Sequence, residues 1–235
     1  MVEVEYVYQE VETLPIEKRN PKRTALYGSV RAVLMGRDLI DGPFGVINAV
    51  NFYQKESFEL LYEHLQKLQD SDYSSVNVCF RLANVLAKSA GVTRGICEVD
   101  ENGYLISVTD RLGVERVGGI PMFPNEVHKW EQLDENSFVS MNMWGFMPSI
   151  FDQMQVAFDH FLDDYGKDMK AHYSIPTFMN NQIEKGMKVK VVETPARWMG
   201  LVSHDDKIQV VLRINEMMRK GVYPSKLFEV NDKDI

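Results

Sequence analysis

Acid pairs, histidines and cysteines supply most hydrolytic and metal-assisted sites, and in this chain each of them is sparse or scattered. Asp163-Asp164 and Asp205-Asp206 are adjacent acids that could share a hard cation. Asp205-Asp206 also stands at an expected helix cap, where capping and the helix dipole account for acidic residues without a metal, and Asp163-Asp164 at the end of an expected helix. His64, His128, His160, His172 and His204 have no metal-ligand spacing and read as surface or hydrogen-bonded structural groups. Cys79 and Cys97 are too few for a disulfide framework and lack the close pairing of a zinc site, so both are expected reduced and buried. No G-x-x-x-x-G-K-S/T, G-x-G-x-x-G, G-x-S-x-G or H-E-x-x-H occurs, which removes P-loop, dinucleotide, nucleophile-elbow and zincin chemistry. The densest apolar group, Met141, Met143, Trp144, Phe146 and Met147, reads as a strand packed between helices, not as a cofactor box.

The elements that must position any site alternate in type. Val2, Val4, Tyr6 and Tyr8 alternate with Glu3, Glu5, Val7 and Gln9, which predicts an opening strand inside a sheet. Ser29 is expected to cap a helix bearing Val30, Val33 and Leu34, and Asp41-Gly42-Pro43 to end it. The continuous apolar run Phe44 to Ala49 predicts an interior parallel strand. A helix from Ser57 with Phe58, Leu61, Leu65 and Leu68 inward, and a strand carrying Val76, Val78, Phe80 and Leu82, continue the alternation. Asp100-Glu101-Asn102-Gly103 marks an inserted β-hairpin. A strand over Phe138 to Phe146, helices from Pro148 and near Pro176, a strand over Lys188 to Glu193 and a last helix capped by Asp206 complete an α/β pattern.

With 235 residues, 45% hydrophobic and 26% charged, the composition is that of a globular protein. The net charge of −8, without a basic cluster, argues against nucleic acid or an anionic membrane as partner. No apolar run approaches the roughly 18 to 20 residues of a membrane helix. Met1 leads straight into the strand-like run with no secretory pattern, so a cytoplasmic location is expected.

Several stretches carry a resemblance over nearly the whole chain: EYVYQE, GPFGVINAVNFY, GVTRGICEVDENGYL, VSMNMWGFMPSIF and GVYPSKLF. Together they resemble the nucleotidyltransferase superfamily of sugar-1-phosphate pyrophosphorylases, the SMNMWGF-x-PSIF segment being the most specific. The resemblance implies a single Rossmann-like domain over residues 1–235 with a mainly parallel central sheet. It also implies an activity, joining a nucleoside triphosphate to a sugar 1-phosphate with release of pyrophosphate, in which Mg²⁺ is held by carboxylates. By the same resemblance Gln9, Gly28 and Ser29 fall at nucleotide-binding positions, and Gly95, Asp110, Arg111 and Asn142 at sugar-phosphate-binding positions. Arg31 replaces a histidine common in relatives.

The departures decide the expected chemistry. The family's G-x-G-T-R loop and downstream Pro-Lys are absent, so the first βαβ unit, ~30 residues or more, is expected to be missing. Where relatives show N-A-D-D-F-Y, this chain reads Asn48-Ala49-Val50-Asn51-Phe52-Tyr53, and Gly200 stands where many carry a second metal carboxylate after Trp198. Val50 cannot ligate Mg²⁺ and Asn51 lacks the charge that ion prefers, so no metal ligand is assigned and Mg²⁺ is not expected to bind tightly. Two functions stay open: a nucleotidyltransferase inactive or severely impaired as this chain, and a non-catalytic sugar- or nucleotide-binding or oligomeric module of that descent. Without a central strand the sheet would expose unpaired backbone, which predicts a homodimer or higher self-association.

Overall fold

The computed structural model describes residues 3–86, 91–200, 204–224 and 226. In chain order the elements are α1 (Ser29–Leu34), β1 (Phe44–Val46), β2 (Asn51–Phe52), α2 (Lys55–Lys67), β3 (Ser75–Arg81), β4 (Val92–Val99) and β5 (Leu105–Val117). There follow β6 (Ile120–Pro124), β7 (Trp130–Gln132), β8 (Phe138–Phe146), α3 (Ile150–Tyr165), α4 (Ile175–Glu184), β9 (Val189–Glu193), β10 (Met199–Gly200) and α5 (His204–Arg219). The main sheet runs β7-β6-β5-β4-β8-β3-β9, with β1 also paired to β8, and β2 pairs with β10 apart from it.

β8 organises the sheet because both of its edges are occupied. β3 lies along one edge, while the other is shared in line by β4, opposite Phe138 to Ser140, and β1, opposite Trp144 to Phe146. β1, β3 and β4 are each antiparallel to β8, and β9 is parallel to β3. Four strands therefore share one direction, but the interposed β8 leaves β3·β9 as the one parallel ladder among the described residues. The α/β Rossmann-like class stands; the mainly parallel sheet does not. Apolar runs report that both faces are covered, and that condition is the same for either strand direction.

Two apolar clusters lie on the two faces. One packs Trp144, Phe146 and Cys97 under α1, α3 and α4, through Val30, Phe151, Met154, Phe158, Phe178 and Met179. Phe44 of β1 stacks on Phe151 of α3 with centroids 5.0 Å apart, a contact worth about 0.5–1.5 kcal/mol beyond its buried area. The other packs Val76, Val78, Phe80, Val139, Met141 and Met143 under α2 through Leu61, with Val114 and Phe123 from β5 and β6. Cys79 and Cys97 are free thiols and both buried, as expected. The hairpin forms between β4 and β5, with Gly103 at φ +78° as the Asn-Gly turn requires.

Other expectations change. Residues 3–10 form no ladder, and Val4, Tyr6 and Tyr8 are exposed, so the opening strand is corrected: alternation defines a face but a strand needs an edge to pair with. The run from Phe44 is strand only to Val46, because the chain after it turns back toward β2. Gly28, not Ser29, is the N-cap of α1, and Phe58 of α2 is largely exposed. Asp206 lies inside the first turn of α5, which begins at His204.

Candidate functional site

The region most altered from regular sheet geometry is the middle of β8. Asn77 pairs with Trp144 and Cys79 with Ser140, so two steps along β3 face four along β8. Met141 to Met143 therefore lie opposite Val78 alone, and Asn142 takes φ +58°, uncommon for a residue with a side chain. A bulge of this kind re-aims the side chain it carries and is frequent beside active sites. It also lies at the seam on the other edge, between the end of β1 and the stretch covered by β4.

Two buried polar groups build the bulge by satisfying carbonyls that it takes out of the ladder. The Asn77 amide donates to the Met143 carbonyl at 3.2 Å and to Ser140 Oγ at 3.1 Å. The Tyr53 hydroxyl donates to the Met141 carbonyl at 2.9 Å and accepts from the Asn48 backbone N–H at 3.1 Å and the Asn51 amide at 3.0 Å. Burial pushes the Tyr53 phenol upward in pKa, against the opposing pull of the hydrogen bonds from Asn48 and Asn51. One phenol thus ties the loop after β1 to the seam in β8.

That loop holds Val50 and Asn51, the positions at which the resemblance implies a metal-binding acid. Asn51 is the register partner of Gly200 in the β2·β10 pair, so the two segments singled out in the sequence meet in space. The donor set does not fit Mg²⁺, however. Val50 is aliphatic and half-exposed, the Asn51 amide is engaged with Tyr53, and Gly200 has no side chain. Among the described residues no group of three His, Cys, Asp or Glu could hold a metal. The Asp205 side chain lies outside the described residues. A hard cation would find neutral oxygens where it needs carboxylates.

The proposed sugar-side residues are partly assembled. Gly95 on β4 pairs with Ser140 on β8 and with Asp110 on β5, and a Cβ at Gly95 would lie 3.4 Å from Asp110 Oδ1. Asn142 follows Ser140 by two residues at the bulge, where the Trp144 indole N–H donates to Asn142 Oδ1 at 3.5 Å. Arg111 turns to the opposite side of β5 from Asp110, as strand alternation requires, and its guanidinium lies 4.8 Å over the Phe123 ring.

The proposed nucleotide-side residues form a separate group with internal partners. Gln9 accepts from the Tyr27 backbone N–H at 3.1 Å and donates to the Gly28 carbonyl at 3.3 Å, so its amide pairs with backbone as it would pair with a base edge. Gly28 has φ +108°, and a Cβ there would stand 2.5 Å from the Tyr173 carbonyl oxygen. Ser29 Oγ accepts from the Ile175 N–H at 2.9 Å, at the start of α4. Arg31, half-buried, leaves its Nε without a partner and donates to Thr13 Oγ1 at 3.3 Å; burial lowers its pKa.

Three residues near the seam were not assigned a role from sequence: Tyr53, Arg94 and Trp198. Arg94 had a readable signal, since it occupies the apolar parity of β4 between Val92 and Ile96. Tyr53 had none, because its role depends on a bulge that no periodicity announces.

Neither a protein-family model nor a curated protein matches the chain. Solved structures do. The inositol-1-phosphate CTP transferase from T. maritima superposes with a TM-score of 0.51 at 10% identity, covering 83% of this chain and 64% of that one. A Bacillus anthracis protein assigned as a glucose-1-phosphate thymidylyltransferase, solved in complex with a sucrose, gives a TM-score of 0.50 at 11% identity, covering 86% and 63%. The chain thus has the fold of the sugar-1-phosphate nucleotidyltransferases and spans about 64% of the length of the first of these structures.

Proposed function

We propose that the chain is a sugar-1-phosphate nucleotidyltransferase-like protein that binds a nucleotide sugar, or the nucleoside triphosphate and sugar 1-phosphate from which one is made, with transfer chemistry absent or very slow. The observation that carries this reading is the Asn51·Gly200 pair beside Val50: the two segments meet, but without the carboxylates that the resemblance places there. Transfer crowds negative charge at one phosphorus, and losing a single stabilising donor typically removes two to three decades of rate. Gly95, Asp110 and Asn142 are the groups proposed to orient the sugar, and Gln9, Gly28 and Ser29 those proposed at the nucleotide.

The test is pyrophosphate release with Mg²⁺ over a set of triphosphates and sugar 1-phosphates, run beside calorimetry with nucleotide sugars in Mg²⁺ and in EDTA. Release at background and binding indifferent to EDTA are expected; sustained turnover overturns the reading. Val50→Asp, at an exposed position, is expected to make that binding stronger in Mg²⁺ than in EDTA. A second reading, an oligomeric interaction module, is favoured by the exposed Val4, Tyr6 and Tyr8. It predicts self-association with no affinity for nucleotide sugars.

A further inference from the structure

We propose that the Arg94 guanidinium and the Trp198 indole N–H form a metal-independent site for an oxyanion, of the phosphate or diphosphate class. The site deepens the proposed function, resting on it for the identity of the rest of the ligand and not for the anion itself.

Arg94 is a cation placed on a buried face. It is only 6% exposed, between Val92 and Ile96 on the side of β4 that joins the second apolar cluster. Its Nε and one terminal nitrogen donate to the Val85 carbonyl at 3.1 and 2.6 Å, and the other terminal nitrogen to the Thr93 carbonyl at 2.8 Å. A guanidinium has five N–H groups, so these bonds engage three and leave two. All the acceptors are neutral. Burial lowers the pKa to about 10, which leaves the group charged at neutral pH. A buried charge held only by neutral dipoles is costly, and in such surroundings it attracts an anion far more strongly than at the surface.

Trp198 supplies a further donor at the same place. Its ring centre lies 4.9 Å from the Arg94 guanidinium carbon, and its Nε1 is buried with no hydrogen-bond partner. Both residues are tied to one turn: the Trp198 backbone N–H donates to the Asn84 carbonyl at 3.2 Å, and the Arg94 guanidinium to its neighbour Val85. The donors are therefore fixed before any ligand arrives, which is what makes such groups effective. Arg23 provides the contrast. It is 2% exposed, but donates to four different carbonyls, those of Ala25, Leu26, Asp168 and Ala171, and so closes on itself as a structural tie.

Position gives the site its meaning. The Trp198 ring packs on Gly200, the partner of Asn51, and Arg94 stands in register with Arg111 of β5. The fixed cation thus lies beside the segment that lacks metal carboxylates, on the face of β4 opposite to Gly95 and the proposed sugar side. It supplies there, without a divalent ion, the positive charge that a phosphate requires.

The test is calorimetry in EDTA with inorganic pyrophosphate, with UDP-glucose and with glucose as the uncharged control, on the whole chain and on Trp198→Phe and Arg94→Met. Pyrophosphate is expected to bind and to raise the melting temperature. Trp198→Phe, which keeps the ring and removes the N–H, should weaken it several-fold, and Arg94→Met roughly tenfold to a hundredfold. Failure of the unsubstituted chain to bind pyrophosphate, or an affinity in both variants equal to that of the unsubstituted chain, overturns the site. If circular dichroism shows Arg94→Met unfolded, Trp198→Phe decides alone. UDP-glucose binding untouched by either substitution sinks the site and leaves the proposed function standing. Variant-sensitive pyrophosphate binding with no affinity for UDP-glucose or for any other nucleotide sugar of the set keeps the site and sinks the proposed function.

Discussion

Gly28 shows how one residue can satisfy a functional and a structural reading at once, and which of the two has a measurable weight. Its φ of +108° and the 2.5 Å separation between a built Cβ and the Tyr173 carbonyl mean that the backbones of α1 and of the segment before α4 touch there. The Val30 N–H donates to that same carbonyl at 3.3 Å, so a shift of Tyr173 would also disturb the first turn of α1. Gly28→Ala is therefore expected to destabilise the fold by about 2 kcal/mol or more, from left-handed strain plus the displaced backbone. Urea unfolding measures it, and a midpoint within error of the unsubstituted chain would remove the packing explanation and leave close approach to a nucleotide as the glycine's purpose. The identity of this residue was legible in the sequence; the reason for it was not, because Tyr173 lies 145 residues away in the chain.

At the scale of elements, β3 and β8 were legible from strand-length apolar runs, and α3 because its periodicity and its burial agree. β8 is strand over Phe138–Phe146, and α3 turns Ile150, Phe151, Met154, Phe158 and Leu162 inward. What periodicity cannot carry is an interruption of itself. The bulge at Met141 to Met143 keeps both methionines on the apolar side while Asn142 takes a left-handed turn, so the sequence still reads as plain strand. Its cost is met by Tyr53 and Asn77, residues with no sequence tie to β8. Tyr53→Phe removes the hydroxyl that joins Met141, Asn48 and Asn51, and leaves a buried carbonyl without its donor. A loss of about 1–3 kcal/mol in urea unfolding is expected. Amide exchange should quicken at Asn48, whose N–H loses its acceptor, while the amides of β9 keep their protection; equal exchange at Asn48 in both proteins would mean that the loop is held by other contacts.

Across the whole molecule the sequence conveyed composition of the layers but not the direction of the strands, since a strand covered on both faces is equally apolar in either sense. It also placed an opening strand where the chain forms no ladder among the described residues. That error carries physical content: Val4, Tyr6 and Tyr8 are 64%, 78% and 75% exposed, on one parity of a segment whose backbone finds no ladder there. An exposed apolar row without a ladder partner can pair with another chain, and a second copy offers the same row with matching alternation. Self-association is therefore expected at micromolar concentration. Light scattering should give a mass above that of one chain, rising with concentration, and Tyr6→Lys combined with Tyr8→Lys should return it toward the monomer by adding charge to the row. A monomer mass that stays constant with concentration, in the unsubstituted chain, would show that this segment is covered from within the protein, and the prediction would fail.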